Sequence, residues 1–271
     1  MACGDPESAL ICKRISTIVS FQCGQPLCEV LKDVLKLSEE CKQYKVKHVG
    51  DLNEPLRRCI KVLITQNGNE EPWILPYEAS SQQGDSLVLC QHLLLQMVLA
   101  YFFGKDEQVA ELYCKCLDSG ANTVLVVKFE ICTCHFYGGL AAIAMTKLEP
   151  DNQKWSRMID DSKSKLKTWA SASSWNCDHR LLFLEAEAKA IRGDVGTSNT
   201  YQRALELAQS HGFSNEEALF RERYAAFLRR SGDETSAKQQ HDKAFDVYMK
   251  WGALRKCEDL KCRYLEQGIS K

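Results

Sequence analysis

The sequence predicts an all-α protein of stacked antiparallel helix pairs, an α-solenoid of about twelve helices. One observation is an internal repeat, visible in three pairs of residues that lie 39 or 40 positions apart: Gly193 and Gly232, Ala204 and Ala244, and Gly212 and Gly252. Another is that apolar residues recur three and four positions apart through most of the chain. A single helix pair cannot bury its apolar face alone, so a repeat of this length requires neighbouring pairs to stack.

Composition sets the size of the core and excludes two classes of partner. The chain has 271 residues, 45% of them hydrophobic, so it can bury a large core. Its 35 basic and 36 acidic residues give a net charge of −1, which offers no electrostatic footprint for nucleic acid or an anionic membrane. We divide the chain into an N-terminal helix at 1–23, which could serve as a cap, and a helical repeat domain at 24–271, with the clearest repeats at 181–265.

The fourteen cysteines indicate the compartment of the protein. A secreted chain could join them as disulfides, but the first ten residues carry Asp5 and Glu7 where a secretory signal needs positive charge. Most cysteines fall at core-facing positions of the predicted helices, where a free thiol packs as a small apolar side chain. We therefore expect a reducing, cytoplasmic compartment.

Three amphipathic helices are predicted in the first 65 residues. Their apolar faces are Ile11, Ile15, Ile18 and Val19; Leu27, Val30, Leu31, Val34, Leu35 and Cys41; and Leu52, Leu56, Cys59, Ile60 and Leu63. Gly24 ends the first helix, and Pro26 suits the start of the second, where its missing N–H costs little. The irregular stretch 66–84 follows, and its apolar centre (73–77) could either tuck back onto the helices or act as a docking element.

The most apolar segment, 86–103, is predicted to be a buried central helix rather than a membrane span. A span needs about 20 largely uncharged apolar residues, whereas this segment is shorter and contains Gln91, His92 and Gln96. A shorter helix then lies between Gly104 and Gly120, which repeats the glycine-bounded pattern of the C-terminal units in a more diverged form.

The pattern between residues 123 and 175 is less regular. Residues 124–127 could form a strand because of their β-branched side chains, but a single strand would have no partner, so we predict helix for 123–148. Pro150 and Asp151 mark the start of the next helix. Its apolar face is Trp155, Ile159, Ser162, Leu166 and Trp169. The run 170–175 resembles a turn.

The last third of the chain has the clearest helices. Ala186 and Ala190 give a small-residue face that allows close packing, Ser214 and Glu217 fit a capping box, and Asp233 is suited to cap the next helix. The inward-facing residues are Tyr201, Ala204, Leu205 and Ala208; Phe220, Tyr224, Phe227 and Leu228; Ala237, His241, Ala244, Phe245 and Tyr248; and Leu254, Cys257, Leu260 and Tyr264. Residues 267–271 are expected to be a frayed tail.

Five segments carry a family resemblance: TYQRALELAQSHGFSNEEALFRERYAAFLRRSGD, KAFDVYMKWGALRKCEDL, GQPLCEVLKDV, PWILPYE and LVLCQHLLLQMVLAYFFGKDEQVAEL. They are similar to the tetratricopeptide-like helical region of large multidomain signalling ATPases, which also carry kinase-like, AAA-type ATPase, GAF and histidine-kinase modules. The resemblance spans residues 24–265 and implies a tetratricopeptide-like fold and a signalling context. It does not extend to catalysis, because the sequence has neither a Walker A pattern nor the kinase motifs.

Two cysteine pairs, Cys114 with Cys116 and Cys132 with Cys134, could indicate a metal site together with His135. Zinc ligands usually lie two to four residues apart on a turn, whereas side chains two apart on a helix point about 200° apart. We therefore favour buried thiols, although Cys132 with His135, or Cys134 with a distant thiol, could share an ion. Nothing in the sequence requires a cofactor.

Other polar residues have simple structural interpretations. His92 and His241 lie on apolar stripes and are predicted to be core histidines. Four arginines lie on one predicted helix: Arg221, Arg223, Arg229 and Arg230. They could hold a phosphate or an acidic peptide, but the glutamates beside them favour a solvated helix face. With no nucleophile motif present, we predict no catalytic, cofactor-binding or metal-binding residue and assign no partner-binding residue.

Two functions are compatible with this pattern. The leading hypothesis is a non-catalytic protein-interaction or scaffold module in intracellular signalling, which presents a concave helical surface to a protein or peptide partner. The alternative, motivated by the resemblance, is a regulatory segment split from a multidomain signalling ATPase or kinase. An enzyme without a recognisable motif is a third reading, since fold alone does not exclude it.

Overall fold

The computed structural model describes residues 5–66, 86–125 and 129–266, and all regular structure within these ranges is helical. Thirteen helices follow in chain order: α1 Pro6–Gln22, α2 Leu27–Gln43, α3 Lys47–Ile64, α4 Ser86–Phe102, α5 Asp106–Asp118, α6 Ala121–Val124, α7 Phe129–Leu148, α8 Gln153–Ala172, α9 Ser174–Arg192, α10 Thr197–Ser210, α11 Ser214–Arg230, α12 Glu234–Trp251 and α13 Leu254–Glu266. The predicted all-α class is confirmed, and the single-turn helix α6 accounts for the one helix beyond the expected twelve.

Helices that follow one another pack as antiparallel pairs, with the most extensive contact between α11 and α12. The predicted repeat has equivalent positions in the structure. The glycines at 193, 212, 232 and 252 all lie at helix ends with φ between 71° and 93°, and the glycines at 104 and 120 end α4 and α5 in the same left-handed conformation. Ala204 and Ala244 are both fully buried. The 40-residue register therefore describes a structural repeat.

Two helices form the centre of the protein. Helix α4 is buried from Cys90 to Phe102 except at Gln96, and α7 buries fifteen of its twenty residues. Gly138, in the middle of α7, allows the closest packing: a Cβ there would lie 2.4 Å from the ring of Tyr113 on α5. This glycine therefore serves close helix packing, and it does not interrupt α7.

The two ends of the chain meet. The Nε1 of Trp251 donates a hydrogen bond to the carbonyl oxygen of Gln25 at 3.1 Å, and the Nδ2 of Asn215 donates to the carbonyl oxygen of Gln22 at 3.3 Å. Helix α13 also packs against α3. In a simple solenoid each repeat contacts only its neighbours, so this array differs by closing on itself.

The apolar face predicted for the first helix is wrong in part. Ile11 and Ile15 are 38% and 48% exposed, whereas Arg14 is buried. The reason is a long-range ion pair, in which the Nη1 of Arg14 lies 3.1 Å from Oε1 of Glu130 on α7. This pair turns α1 so that its buried face is centred on Arg14 and Ile18. Leu35, predicted to face the core from α2, is also 41% exposed.

Three predictions about helix ends are corrected. The expected turn at 170–175 is a single residue, Ser173, between α8 and α9. The capping box does not form, because Ser214 is the first residue of α11 and makes no cap, while Glu217 bonds to Arg221 instead. Helix α8 begins at Gln153, two residues after Asp151, and is capped by Asn152.

Of the remaining local predictions, some are confirmed and some concern residues outside the described ranges. Asp233 caps α12 as predicted, accepting a hydrogen bond from the backbone N–H of Ser236 at 3.0 Å. Val124 ends the helical turn α6, and no strand occurs in the part of the chain that the structure describes. The apolar centre of 66–84, residues 126–128 and the tail 267–271 lie outside the described residues.

Candidate functional site

A buried charged cluster joins α7, α9 and α11. The Nε of Arg180 donates to Oε1 of Glu216 at 2.8 Å, and Nε2 of His179 lies 2.7 Å from Oε2 of the same carboxylate. The Nη1 of Arg180 donates to Oγ1 of Thr133 at 3.3 Å. Arg180 and His179 are fully buried and Glu216 is 1% exposed. We call Thr133, His179, Arg180 and Glu216 the Arg180 cluster.

The charges in the Arg180 cluster balance one another. Burial by itself would raise the pKa of Glu216, but the charge of Arg180 and the hydrogen bond from His179 outweigh burial and lower it to about 2. Burial lowers the pKa of His179 below its ordinary value. The cluster therefore holds one carboxylate and one guanidinium, whose charges cancel. Its three charged or titratable side chains are enclosed in the core, so no side of the cluster is open to a substrate.

The cysteines that could have indicated a metal site face different partners. The Sγ of Cys132 lies 3.7 Å from the Sγ of Cys177 on α9, whereas the Sγ of Cys134 lies 3.8 Å from the Sγ of Cys116 on α5. All four thiols are buried. This divergence is the one expected for side chains two apart on a helix, and it confirms the prediction of buried thiols. Cys114, the remaining member of the motif, is partly buried.

His135, the histidine of the same motif, is held by polar neighbours. Its Nδ1 lies 2.7 Å from the hydroxyl of Tyr113, and its Nε2 lies 2.9 Å from Oδ1 of Asn122. Burial and the nearby charge of Lys165 lower the pKa of His135 to about 4. Within the described ranges, no group of three or more His, Cys, Asp or Glu side chains is arranged to hold a metal ion.

The two histidines predicted to lie in the core differ in burial. His92, on α4, is 4% exposed, which agrees with the prediction. The side chain of His241, on α12, is 13% exposed and borders a cavity of about 200 Å³ between α11, α12 and α13. His241 is therefore only partly a core residue.

The arginines of α11 do not form one solvated face. Arg230 is exposed, in agreement with the prediction, but Arg221 is buried and its Nη2 lies 2.7 Å from Oε1 of Glu217. Arg223 reaches α9, where its Nη2 lies 2.7 Å from Oε2 of Glu187. The predicted solvated face is therefore wrong for Arg221, which pairs with Glu217 on the same helix, and for Arg223, whose ion pair connects α11 to α9.

An open groove lies on the outside of the array, between α2 and α3. It has a volume of about 790 Å³, within the size range of ligand pockets. Its floor includes the buried side chains of Cys41 and Val46 and the half-exposed Leu35. Gly50 also lines it, and a Cβ at that position would meet only the Cβ of Cys41, at 3.7 Å. We call this feature the α2–α3 groove.

The rim of the α2–α3 groove is charged. Three lysines, Lys42, Lys45 and Lys47, lie at the turn between the two helices, and none of them forms an ion pair with the residues that the structure describes. Among the acidic residues of the rim, Glu54 is held by Arg57, whose Nη2 lies 2.6 Å from its Oε1. Two other carboxylates, at positions 39 and 51, complete the rim.

Lys45 has an unusual backbone conformation. Its φ is 59°, and it is the only residue other than glycine with a positive φ in the described ranges. For a side chain with a Cβ, the left-handed conformation costs roughly 1–2 kcal/mol. The other left-handed positions are all glycine, for example Gly24 and Gly104. A lysine at position 45 is therefore less stable in this conformation than a glycine would be, and it adds a third positive charge to the rim of the groove.

Sequence reasoning missed the α2–α3 groove. One signal was present, because residues 42–47, from the end of α2 to the start of α3, read KQYKVK and lack the glycine that ends most other helices of the chain. The groove itself depends on the angle between α2 and α3, which no local pattern specifies.

No helix within the described ranges is long and apolar enough to cross a membrane. Comparison with known proteins found no family model, no curated protein and no solved structure that matches this chain.

Proposed function

We propose that this protein is a non-catalytic helical-repeat interaction module that binds a peptide segment of a partner protein in the α2–α3 groove. The observation that carries the proposal is Lys45, a strained lysine on the rim of an open groove. Residues held in unfavourable backbone conformations cluster at binding sites, where the strain accompanies function.

The chemistry of the α2–α3 groove defines the partner. Its floor of Leu35, Cys41 and Val46 suits one or two apolar side chains. Because Glu54 is neutralised by Arg57, the charges left on the rim are three lysines and two carboxylates. The three lysines are close in sequence at the turn, so they favour a peptide with acidic residues next to its apolar ones.

The centre of the array is less suited to this role. Helices α4 and α7 are buried on nearly all sides, and the ends of the chain meet. An interaction surface formed by these central helices would require the array to open. The α2–α3 groove needs no such change, because it is already open to solvent.

A random peptide display library would test the proposal. We expect peptides enriched on the full-length protein to share apolar residues flanked by Asp or Glu. Gly50→Leu should abolish their binding, because its side chain enters the groove while its Cβ makes only an ordinary contact with Cys41. The substitution also removes a helical glycine, so the fold should be unchanged or stabilised by up to about 1 kcal/mol.

Charge variants provide the matched controls. Lys45→Glu should weaken binding at least tenfold, and the loss should diminish in high salt. Lys238→Glu makes the same change at an exposed position of α12, far from the groove in sequence, and should bind like the parent. If no shared peptide sequence emerges, or if Gly50→Leu binds the selected peptides as well as the parent does, the proposal is wrong.

The state of the cysteines supports an intracellular location, which we also propose. Thirteen cysteines lie in the described ranges, and all of them are free thiols. Eight of them are buried, and so many unpaired thiols would be vulnerable in an oxidising compartment. Fractionation of cells that express a tagged copy would test this location, and recovery of the protein only from the culture medium would refute it.

A further inference from the structure

We propose that Cys132 and Cys177 form a peroxide-oxidisable dithiol, which converts to a disulfide between α7 and α9. This site is independent of the α2–α3 groove. It rests on the short distance between the two sulfurs and on the guanidinium beside them. The two cysteines are 45 residues apart in sequence, and neither was singled out as a redox residue by the sequence.

The geometry requires only a small movement. The two Sγ atoms lie 3.7 Å apart, and a disulfide bond is about 2.05 Å long. The sulfurs must therefore approach by about 1.7 Å. Cys132 lies in the first turn of α7 and Cys177 in the first turn of α9. Helix ends adjust more readily than helix centres, because their backbone is less constrained by hydrogen bonds.

The surroundings activate Cys132. A hydrogen bond from Cys177 and the positive charge of Arg180, acting against burial, lower the pKa of the Cys132 thiol below its ordinary value. The same arrangement raises the pKa of Cys177 far above its ordinary value. Cys132 is thus the nucleophile and Cys177 the thiol that resolves the intermediate, since the thiolate is the reactive form of cysteine.

The reaction with hydrogen peroxide balances in two steps. The Cys132 thiolate attacks one peroxide oxygen, so that an S–O bond forms, the O–O bond breaks, and hydroxide leaves and is protonated to water. The Cys177 sulfur then attacks the sulfur of the resulting sulfenic acid, so that the S–S bond forms and the S–O bond breaks. The oxygen leaves as a second water, carrying the proton of Cys177. Two thiols are oxidised, and one peroxide is reduced to two waters.

A second thiol pair serves as an internal control. The Sγ atoms of Cys116 and Cys134 are 3.8 Å apart, nearly the same distance as in the proposed dithiol. In that pair the hydrogen bond from Cys134, together with burial, raises the pKa of Cys116 strongly, which is opposite to the shift at Cys132. Distance alone would therefore oxidise both pairs, whereas activation by Arg180 predicts oxidation of the Cys132–Cys177 pair first.

Peroxide must reach a buried site. Cys132 and Cys177 are each 4% exposed, but Cys177 is two residues from Trp175, which is 57% exposed. The single-residue junction at Ser173 precedes this turn. Hydrogen peroxide is close to water in size, so local opening of the first turn of α9 is enough to admit it.

Peptide mapping of the reduced full-length protein tests the proposal. After treatment with hydrogen peroxide, the remaining thiols are alkylated and the protein is digested with trypsin. We expect the peptide 129–147 to be linked to the peptide 168–180, which contains Cys177, before any link to the peptide 116–128 appears. The rate should rise with pH, because the Cys132 thiolate is the reactive form, and the rise should begin at a lower pH than for an ordinary thiol because the pKa of Cys132 is lowered.

Variants assign the roles of the two sulfurs. Cys177→Ser should leave a sulfenic acid on Cys132 that dimedone traps, and Cys132→Ser should give neither the link nor the adduct. Cys134→Ser should form the link at the parental rate, and it removes the ambiguity of two cysteines in one peptide.

Two results would overturn the proposal. One is that the exposed thiols Cys12, Cys28 and Cys262 become oxidised while Cys132 and Cys177 stay reduced and are recovered in alkylated form. The other is that the Cys116–Cys134 link forms as fast as the Cys132–Cys177 link. Because these results are read from the parent protein, they do not depend on whether a variant folds.

Discussion

Gly24 provides a direct test of the contact between the two ends of the chain. It follows α1 with φ of 73°, and a Cβ at this position would lie 2.6 Å from the backbone nitrogen of Ser214 and 2.6 Å from Oδ1 of Asn215. Two separate penalties therefore act on Gly24→Ala. One is the left-handed conformation, and the other is a collision with the start of α11.

The two penalties have different sizes. The left-handed conformation costs roughly 1–2 kcal/mol for a residue with a Cβ. Overpacking against a well-packed neighbour adds about 1–3 kcal/mol, and here the neighbour is backbone, which cannot rotate away. We therefore expect Gly24→Ala to lower the free energy of unfolding by about 2–5 kcal/mol.

Gly232→Ala is the matched control. Gly232 also follows a helix, with φ of 85°, but no atom lies within 4 Å of a Cβ built there. It should lose only the conformational part, roughly 1–2 kcal/mol. Urea unfolding of both variants and the parent measures the difference. If the two variants differ by less than about 0.5 kcal/mol, near the scatter of such measurements, the ends of the chain do not meet at Gly24.

Two further predictions concern the repeat and the response to acid. Ala204→Leu and Ala244→Leu should each lower the free energy of unfolding by about 1–3 kcal/mol, because both alanines are fully buried. As a control, Gln239→Leu at an exposed position should change it by less than about 0.5 kcal/mol. Urea melts in which both alanine variants match the parent would contradict the equivalence of the repeats. Burial and Lys165 lower the pKa of His135 to about 4, so the unfolded chain binds this proton first as the pH falls. The stability from His135 is therefore complete above about pH 6.5 and is lost toward pH 4, by roughly 3 kcal/mol in all. Melts of His135→Gln between pH 7 and 4 should show a smaller decrease than the parent, and an equal decrease would refute this assignment.

The repeat was predictable because its signals are local. Glycines end the helices at regular spacing, and small residues such as Ala204 and Ala244 recur where helices pack closely. These features depend on residues within one or two helices. The same reasoning identified α4 as a buried helix, since nearly all of its residues are apolar.

The predictions were wrong where a residue distant in sequence determines which side chain is buried. Arg14 reads as a polar residue on a surface helix, but its partner Glu130 lies 116 positions away, and that pair determines which face of α1 is buried. Arg223 likewise pairs with Glu187 on another helix. The two-residue spacing of Cys132 and Cys134 indicated that they diverge, but only the packing of α7 against α9 and α5 shows which thiol each one meets.

The meeting of the chain ends has a consequence for cooperativity. In an open array the terminal repeats lack a neighbour on one side and unfold before the centre. Here α13 covers α3, and the hydrogen bond from Asn215 to Gln22 joins residues 193 positions apart. Such a distant contact closes a long loop, so we expect it to form late in folding. Once it has formed, no repeat is terminal, so amide exchange should slow across α1 to α3 and α11 to α13 together, as one unit.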